Sequence, residues 1–257
     1  MSTMDTIEQD REQRPVAVIT GGTQGLGYAL TQMLLRQGFA VCTCARTKAG
    51  IEALKASVDS RYPLVALVGD VTHPAFQRRF IEEAVGAFGH IDAIVNNAST
   101  LGLLPLPYVL HSTAANDRSV FETNVVAPNQ LLRHALSHLE ERRRSVIVGI
   151  SSDAATGGYP GWGIYGASKA ALDLLHKTLA AELGDRPVYV YSVDPGDMDT
   201  AMHRSVDSDA DGLADPLSVA ETLWPLFKPL EDDVAFPFQS GTRLRVAGHG
   251  VLEVTAS

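Results

Sequence analysis

Six short apolar runs, rich in β-branched residues, recur along the chain, and longer stretches with helical spacing separate them. The runs are Val16–Thr20, Ala40–Ala45, Leu64–Val68, Ile91–Val95, Ser145–Ile150 and Val188–Val193. Helical spacing covers Gly27–Gln37, Phe76–Phe88, Val126–Glu141 and Ser168–Leu183. Strands written as nearly continuous Val, Ile and Leu are buried on both faces. Alternating with helices, they predict an α/β chain whose parallel sheet carries right-handed crossovers on both sides, a doubly wound arrangement. A seventh strand is expected at Leu244–Ala247. No linker, repeat or low-complexity stretch divides residues 15–257, so a single domain is expected behind a polar, disordered tail at 1–14. In such a sheet ligands lie beyond the carboxyl ends of the strands. The segments that matter for function are therefore 20–27, 46–50, 70–74, 96–111, 151–163 and 194–215.

Composition narrows the function classes. Against 21 Lys and Arg stand 30 Asp and Glu, a formal charge of −9 over 257 residues. That balance argues against a nucleic-acid partner. No apolar run approaches the ~20 residues of a membrane span. The first fifteen residues are polar and lack a secretory signal. Two cysteines exclude a disulfide scaffold. The expectation is a cytoplasmic enzyme that acts on a small molecule.

The first run ends in Thr20-Gly21-Gly22-Thr23-Gln24-Gly25-Leu26-Gly27 and leads straight into a helix. Glycines there allow a tight turn and close approach of a pyrophosphate, and the helix start offers free N–H groups to the anion. Nucleotide binding follows, through Gly21, Thr23, Gln24, Gly25, Leu26 and Gly27. After the second strand an NAD site would place an acid against the ribose; here the chain reads Ala45-Arg46-Thr47. Arg46 could pair with a 2′-phosphate, with Thr47 adding a hydroxyl contact. NADP(H) is thus the expected cofactor, with NAD(H) possible.

Ser151-Ser152 follows the fifth strand, and Tyr165 and Lys169 stand four apart in Tyr165-Gly166-Ala167-Ser168-Lys169. On a helix that spacing puts both on one face. A phenol with a pKa near ~10 is a poor base at neutral pH, and a neighbouring ammonium lowers it. Ser152 would hold the substrate oxygen while Tyr165 donates or accepts its proton.

The loop T-G-x-x-x-G-x-G, the serine thirteen residues before Y-x-x-x-K, and their order together resemble the short-chain dehydrogenase/reductases, over residues 15 to about 200. The resemblance implies a Rossmann-like fold of about seven strands and a carbonyl–alcohol oxidoreductase. It also implies that Asp70 and Val71 meet the adenine, and that Asn97, in Asn96-Asn97-Ala98, touches the cofactor. Asn124 takes the place of the family's structural and proton-relay asparagine. Pro195, Gly196, Met198 and Thr200 would border the nicotinamide. A homodimer or homotetramer is the family expectation. Ser99 departs from the usual glycine of N-N-A-G, and Asp194 before Pro195-Gly196 has no explanation in the sequence.

Other residues read as structure. His134 and His138 are four apart but lack a third metal ligand. Cys42 and Cys44 share one face of a strand as reduced core thiols. Arg142-Arg143-Arg144 closes a helix. Substrate loops are expected at 99–112, 153–163 and 196–215, and within the last the stretch 203–215 has the polarity of a mobile lid. Leu101, Leu103, Leu104, Tyr159, Trp162, Met198 and Met202 on them would suit an apolar or aromatic carbonyl compound. The alternative is a catalytically silent NADP(H) sensor or structural protein on the same fold.

Overall fold

The computed structural model describes residues 14–232, 234–248 and 250–255; the expected tail, apart from Arg14, lies outside them. The strands are β1 Val16–Thr20, β2 Ala40–Ala45, β3 Leu64–Val68, β4 Ala93–Asn96, β5 Ser145–Ile150, β6 Val188–Asp194, β7 Arg243–Ala247 and β8 Val251–Val254. They form one sheet in the order β3-β2-β1-β4-β5-β6-β7-β8. β1 to β7 pair in parallel, and β8 returns antiparallel on the β7 edge, Leu244 opposite Val254. The eighth strand escapes sequence reading because its residues are largely exposed and show no buried run.

The helices are α1 Gly25–Arg36, α2 Lys48–Ser57, α3 Pro74–Phe88, α4 Ala114–Phe121, α5 Ala127–Glu140, α6 Gly163–Leu183, α7 Ala201–Arg204, α8 Pro216–Thr222 and α9 Lys228–Glu231. Side-chain alternation divides the core into two layers. Ala17 and Ile19 of β1 join Leu30 and Leu34 of α1 and Leu223 on one side. Val18 joins Cys42, Cys44 and Phe80 of α3 and Leu131 of α5 on the other. α6 begins at Gly163, earlier than its apolar spacing indicated, and so carries Tyr165 in its first turn.

The chain order reverses between β1 and β4, which opens a crevice at their carboxyl ends. Thr20 closes its floor: Oγ1 accepts from the N–H groups of Asn97 and Ala98, each at 3.0 Å. Arg142 does not merely close α5. Its Nε donates to the buried Asp92 carboxylate at 2.6 Å, and Asp92 in turn accepts from Val16 N at 2.8 Å.

Candidate active site

A cavity of about 920 Å³ lies along the carboxyl ends of the strands. Every residue singled out in the sequence for catalysis or cofactor contact is on its wall except Gly27 and Asn124, which sit just behind it. At the glycine loop Gly21 adopts φ 75°, a conformation that disfavours a side chain. A Cβ on Gly27 would run into the Gly21 carbonyl oxygen and Asn97 Nδ2. The N-cap residue Gln24 makes no side-chain capping bond, and the first turn of α1 holds no acid. Gly21 and Gly22 donate their N–H groups to the Cys44 carbonyl, so it is the helix start that offers its first amides to an anion, as a dinucleotide pyrophosphate requires.

Arg46 is exposed at the cavity edge beyond β2. Thr47 is engaged as the N-cap of α2, its hydroxyl accepting from Gly50 N at 3.2 Å. Burial pushes the Asp70 carboxyl up, yet bonds from Thr72 N and Thr72 Oγ1 outweigh it and hold the group below its ordinary value. Asp70 therefore stands ionised at the far end of the cavity.

At the other end Tyr165 is 8% exposed and Lys169 2%. Lys169 Nζ donates to the Ile150 carbonyl at 2.8 Å and lies 5.5 Å from the centre of the Tyr165 ring. Burial draws Lys169 down to about 8. The phenol is not lowered as its spacing to Lys169 suggested. Burial pushes Tyr165 up to about 12, and the hydroxyls of Ser99 and Ser152 draw it back only in part. Desolvation of the phenolate thus wins over its neighbours. Ser152 Oγ donates to Asp153 at 3.0 Å and accepts from Ala154 N at 3.2 Å.

Asn124 sits in a π-helical turn, Glu122–Val126, between α4 and α5. Its amide donates to Thr100 O and Ser168 Oγ, and its oxygen accepts from Thr100 N and Ser99 Oγ, at 2.9 to 3.1 Å. Those four bonds use the whole capacity of the side chain. It pins the segment after β4 to α6. Ser99, in place of the expected glycine, adds a hydroxyl to this junction.

A family model described as short chain dehydrogenase matches residues 15–211. The chain belongs to the short chain dehydrogenase family. It is an oxidoreductase acting on CH–OH groups. The L-fucose dehydrogenase of Mus musculus is 31% identical over 187 residues, 73% of this chain and 66% of that enzyme. The short-chain dehydrogenase/reductase FrzI of Cladobotryum sp. is 36% identical over 198 residues, 76% of this chain and 74% of that one. An alcohol dehydrogenase from the archaeon Thermococcus sibiricus, solved in complex with 5-hydroxy-NADP, aligns with a TM-score of 0.78. The alignment covers 90% of this chain and 95% of that chain at 24% identity, a likeness of fold.

Within this short chain dehydrogenase several placements were not legible in the sequence. Asp194 accepts from Gly196 N at 3.0 Å and so shapes the turn that carries Pro195 and Gly196. The segment expected as a mobile lid makes several bonds of its own. Met198 bridges to Ala214, Thr200 caps α7 by accepting from His203 N, and Arg204 donates to Asp199 and to the carbonyls of Ser208 and Ala210. Leu101, Tyr159, Trp162, Met198 and Met202 reach the cavity wall, whereas Leu103 and Leu104 face solvent at 53% and 46% exposure. Burial raises the Cys44 thiol to about 12 and pushes Cys42 up as well, which leaves both unreactive. Among the described residues no cluster of His, Cys, Asp or Glu could hold a metal, and no helix is long and apolar enough to cross a membrane.

Proposed function

We propose that this short chain dehydrogenase interconverts a ketone or aldehyde and an alcohol with NADP(H), acting mainly as a reductase on an apolar or aromatic small molecule. The observation that carries the reading is one continuous cavity with the anion-accepting glycine loop at one end and Ser152, Tyr165 and Lys169 at the other. The nicotinamide, when bound, supplies or takes up the hydride. Ser152 Oγ holds the carbonyl oxygen in line. Tyr165, whose proton burial holds in place, is the acid that delivers a proton to that oxygen in the reductive direction. Lys169 keeps positive charge beside the phenol and is placed to hold the nicotinamide ribose. Asn97, Pro195, Gly196, Met198 and Thr200 frame the nicotinamide end, and Asp70 and Val71 the adenine end.

The substrate reading rests on the walls around Tyr165. Leu101, Ala154, Leu106, Trp162, Met202 and Val206 pack there, contributed by the segments 99–112, 153–163 and 196–215. The deciding experiment is a panel of carbonyls and alcohols with NADPH, NADP, NADH and NAD, followed at the reduced nicotinamide band. Turnover of apolar ketones or aldehydes is expected. Tight NADPH binding without turnover of any panel member would favour the silent sensor.

Arg46 provides the cofactor test. Arg46→Ala removes a charge-assisted contact to the 2′-phosphate, a bond of ~1.5–3 kcal/mol. The KM for NADPH should rise about 10- to 100-fold, with little change for NADH. Equal changes for both cofactors would refute the assignment. A homodimer or homotetramer suits the exposed Leu174 and Leu175 on α6, at 65% and 39%. Light scattering on the eluting peak should return twice or four times the chain mass.

A further inference from the structure

Three charged side chains, two of them buried and the third nearly so, grip three consecutive residues at the end of β5. Lys169 Nζ donates to the Ile150 carbonyl at 2.8 Å. The Asp173 carboxylate accepts from Ser151 Oγ at 2.7 Å. Arg243 Nη2 donates to the Ser152 carbonyl at 2.8 Å. Arg243 also ties the row together, donating from Nε to Asp173 at 2.9 Å and from Nη1 to Thr255 Oγ1 at 2.8 Å, with Asp194 at 3.8 Å. The Arg243 side chain is 6% exposed, Asp173 12% and Asp194 3%. Asp173 Oδ1 is buried without a hydrogen-bond partner.

Burying charges costs several kcal/mol per ion before pairing, so such a cluster adds little to stability over an apolar filling. What it adds is position. Ser152 is followed by only a short 3-10 turn at Asp153–Ala155, not by a helix of its own that would fix it. Its backbone is held instead by Arg243 from β7 and, through Ser151, by Asp173 from α6. We propose that Asp173 and Arg243 are positioning residues of the reaction, which hold the end of β5 so that Ser152 faces the substrate and set the charge on Lys169 beside Tyr165. The proposal rests on the catalytic reading of Ser152, Tyr165 and Lys169 above.

The ionisable groups around Lys169 are Tyr165, Asp173 and His176 on α6, Asp153 after β5, Asp194 at the end of β6 and Arg243 on β7. Burial lowers Lys169, and Asp173 is the group that raises it again. Asp173→Asn removes that support, so Lys169 must lose its proton at lower pH. Arg243→Met does the reverse: it removes a nearby cation and leaves the Asp173 charge uncompensated, so Lys169 holds its proton to higher pH. General loosening of the structure would not move the two variants in opposite directions.

The test is an NMR titration of the Lys169 side chain in the full protein, its signal assigned by its loss in Lys169→Met. Wild type, Asp173→Asn, Arg243→Met and Arg243→Lys are compared, together with the pH profile of kcat. In Asp173→Asn the midpoint should fall by about one pH unit or more, and in Arg243→Met it should rise. The alkaline limb of kcat should follow in each case. Arg243→Met should also lower kcat on the order of 10- to 100-fold through misplacement of Ser152, with the cofactor KM within about 3-fold of wild type, and Arg243→Lys should recover most of the loss. Midpoints that coincide in all forms overturn the electrostatic half of the proposal, and unchanged kcat in Arg243→Met overturns the positioning half. Should Asp173→Asn fail to fold, Ser151→Ala removes the same tether without altering charge, and must lower kcat while leaving the Lys169 midpoint in place. The midpoint does not depend on turnover, so it separates this proposal from the catalytic reading. An active Tyr165→Phe enzyme sinks that reading alone; unmoved midpoints beside an inactive Tyr165→Phe sink the coupling alone.

Discussion

Tyr165→Phe should lower kcat by about 10²- to 10⁴-fold, the range that a positioned general acid supplies, and leave the Kd for NADPH within about 2-fold. The substitution is close to isosteric. The ring meets Trp162 edge to face, with centroids 5.7 Å apart, and lies against Leu101 and Ala154, contacts that phenylalanine keeps. What disappears is the hydroxyl that faces Ser99 and Ser152. Its loss costs about 1 kcal/mol of hydrogen bonding, so the melting temperature should move by only a few degrees. Single-turnover kinetics and fluorescence titration with NADPH separate the two quantities. Retained turnover would refute Tyr165 as the proton donor; turnover and cofactor affinity lost together would point to a binding role instead.

Gly27→Val should produce the opposite pattern, with cofactor binding weakened on the order of 100-fold, ~2.7 kcal/mol, and stability lowered as well. Asn97 Nδ2 donates to Thr20 O at 2.9 Å and Gly21 O at 3.2 Å, which stitches the end of β1 to the segment after β4. The Gly27 Cα packs against that stitch, and a Cβ would collide with both Gly21 O and Asn97 Nδ2. Backbone on one side and a doubly bonded amide on the other leave little room to relax. Overpacking of this kind costs about 1–3 kcal/mol, or several degrees in melting temperature for a chain of this size. Isothermal titration with NADPH and a thermal melt check both. An NADPH affinity equal to that of wild type would show that the loop does not hold the pyrophosphate.

Much of the fold was readable because burial on both faces leaves a signal. β1, β2, β3, β5 and β6 begin where their apolar runs predict, and β7 within one residue. β8 left no such signal, since an exposed antiparallel edge has no apolar pattern to impose. The candidate site was readable where local geometry constrains residue type, as at the glycine loop and the Tyr165–Lys169 helix face. It was not readable where partners are remote in sequence. Arg243 meets Asp173 across 70 positions and Ser152 across 91, and a lone arginine at the start of a strand looks like any surface cation. In the polar stretch 203–215 the partners were not readable either: Arg204 donates to Asp199 and to the carbonyls of Ser208 and Ala210.

The sequence by itself determined the layered sheet, the anion-accepting loop at its switch point and the order of Ser152, Tyr165 and Lys169, because each depends on short-range spacing and on which residue types a backbone conformation tolerates. Only the tertiary structure decided the charge states and the supports of the site. Burial raises Tyr165 and lowers Lys169, Asn124 spends its side chain as a pin, and Arg243 reaches from β7 to the serine. These follow from desolvation and from contacts between distant segments, and neither exists until the chain has closed around them.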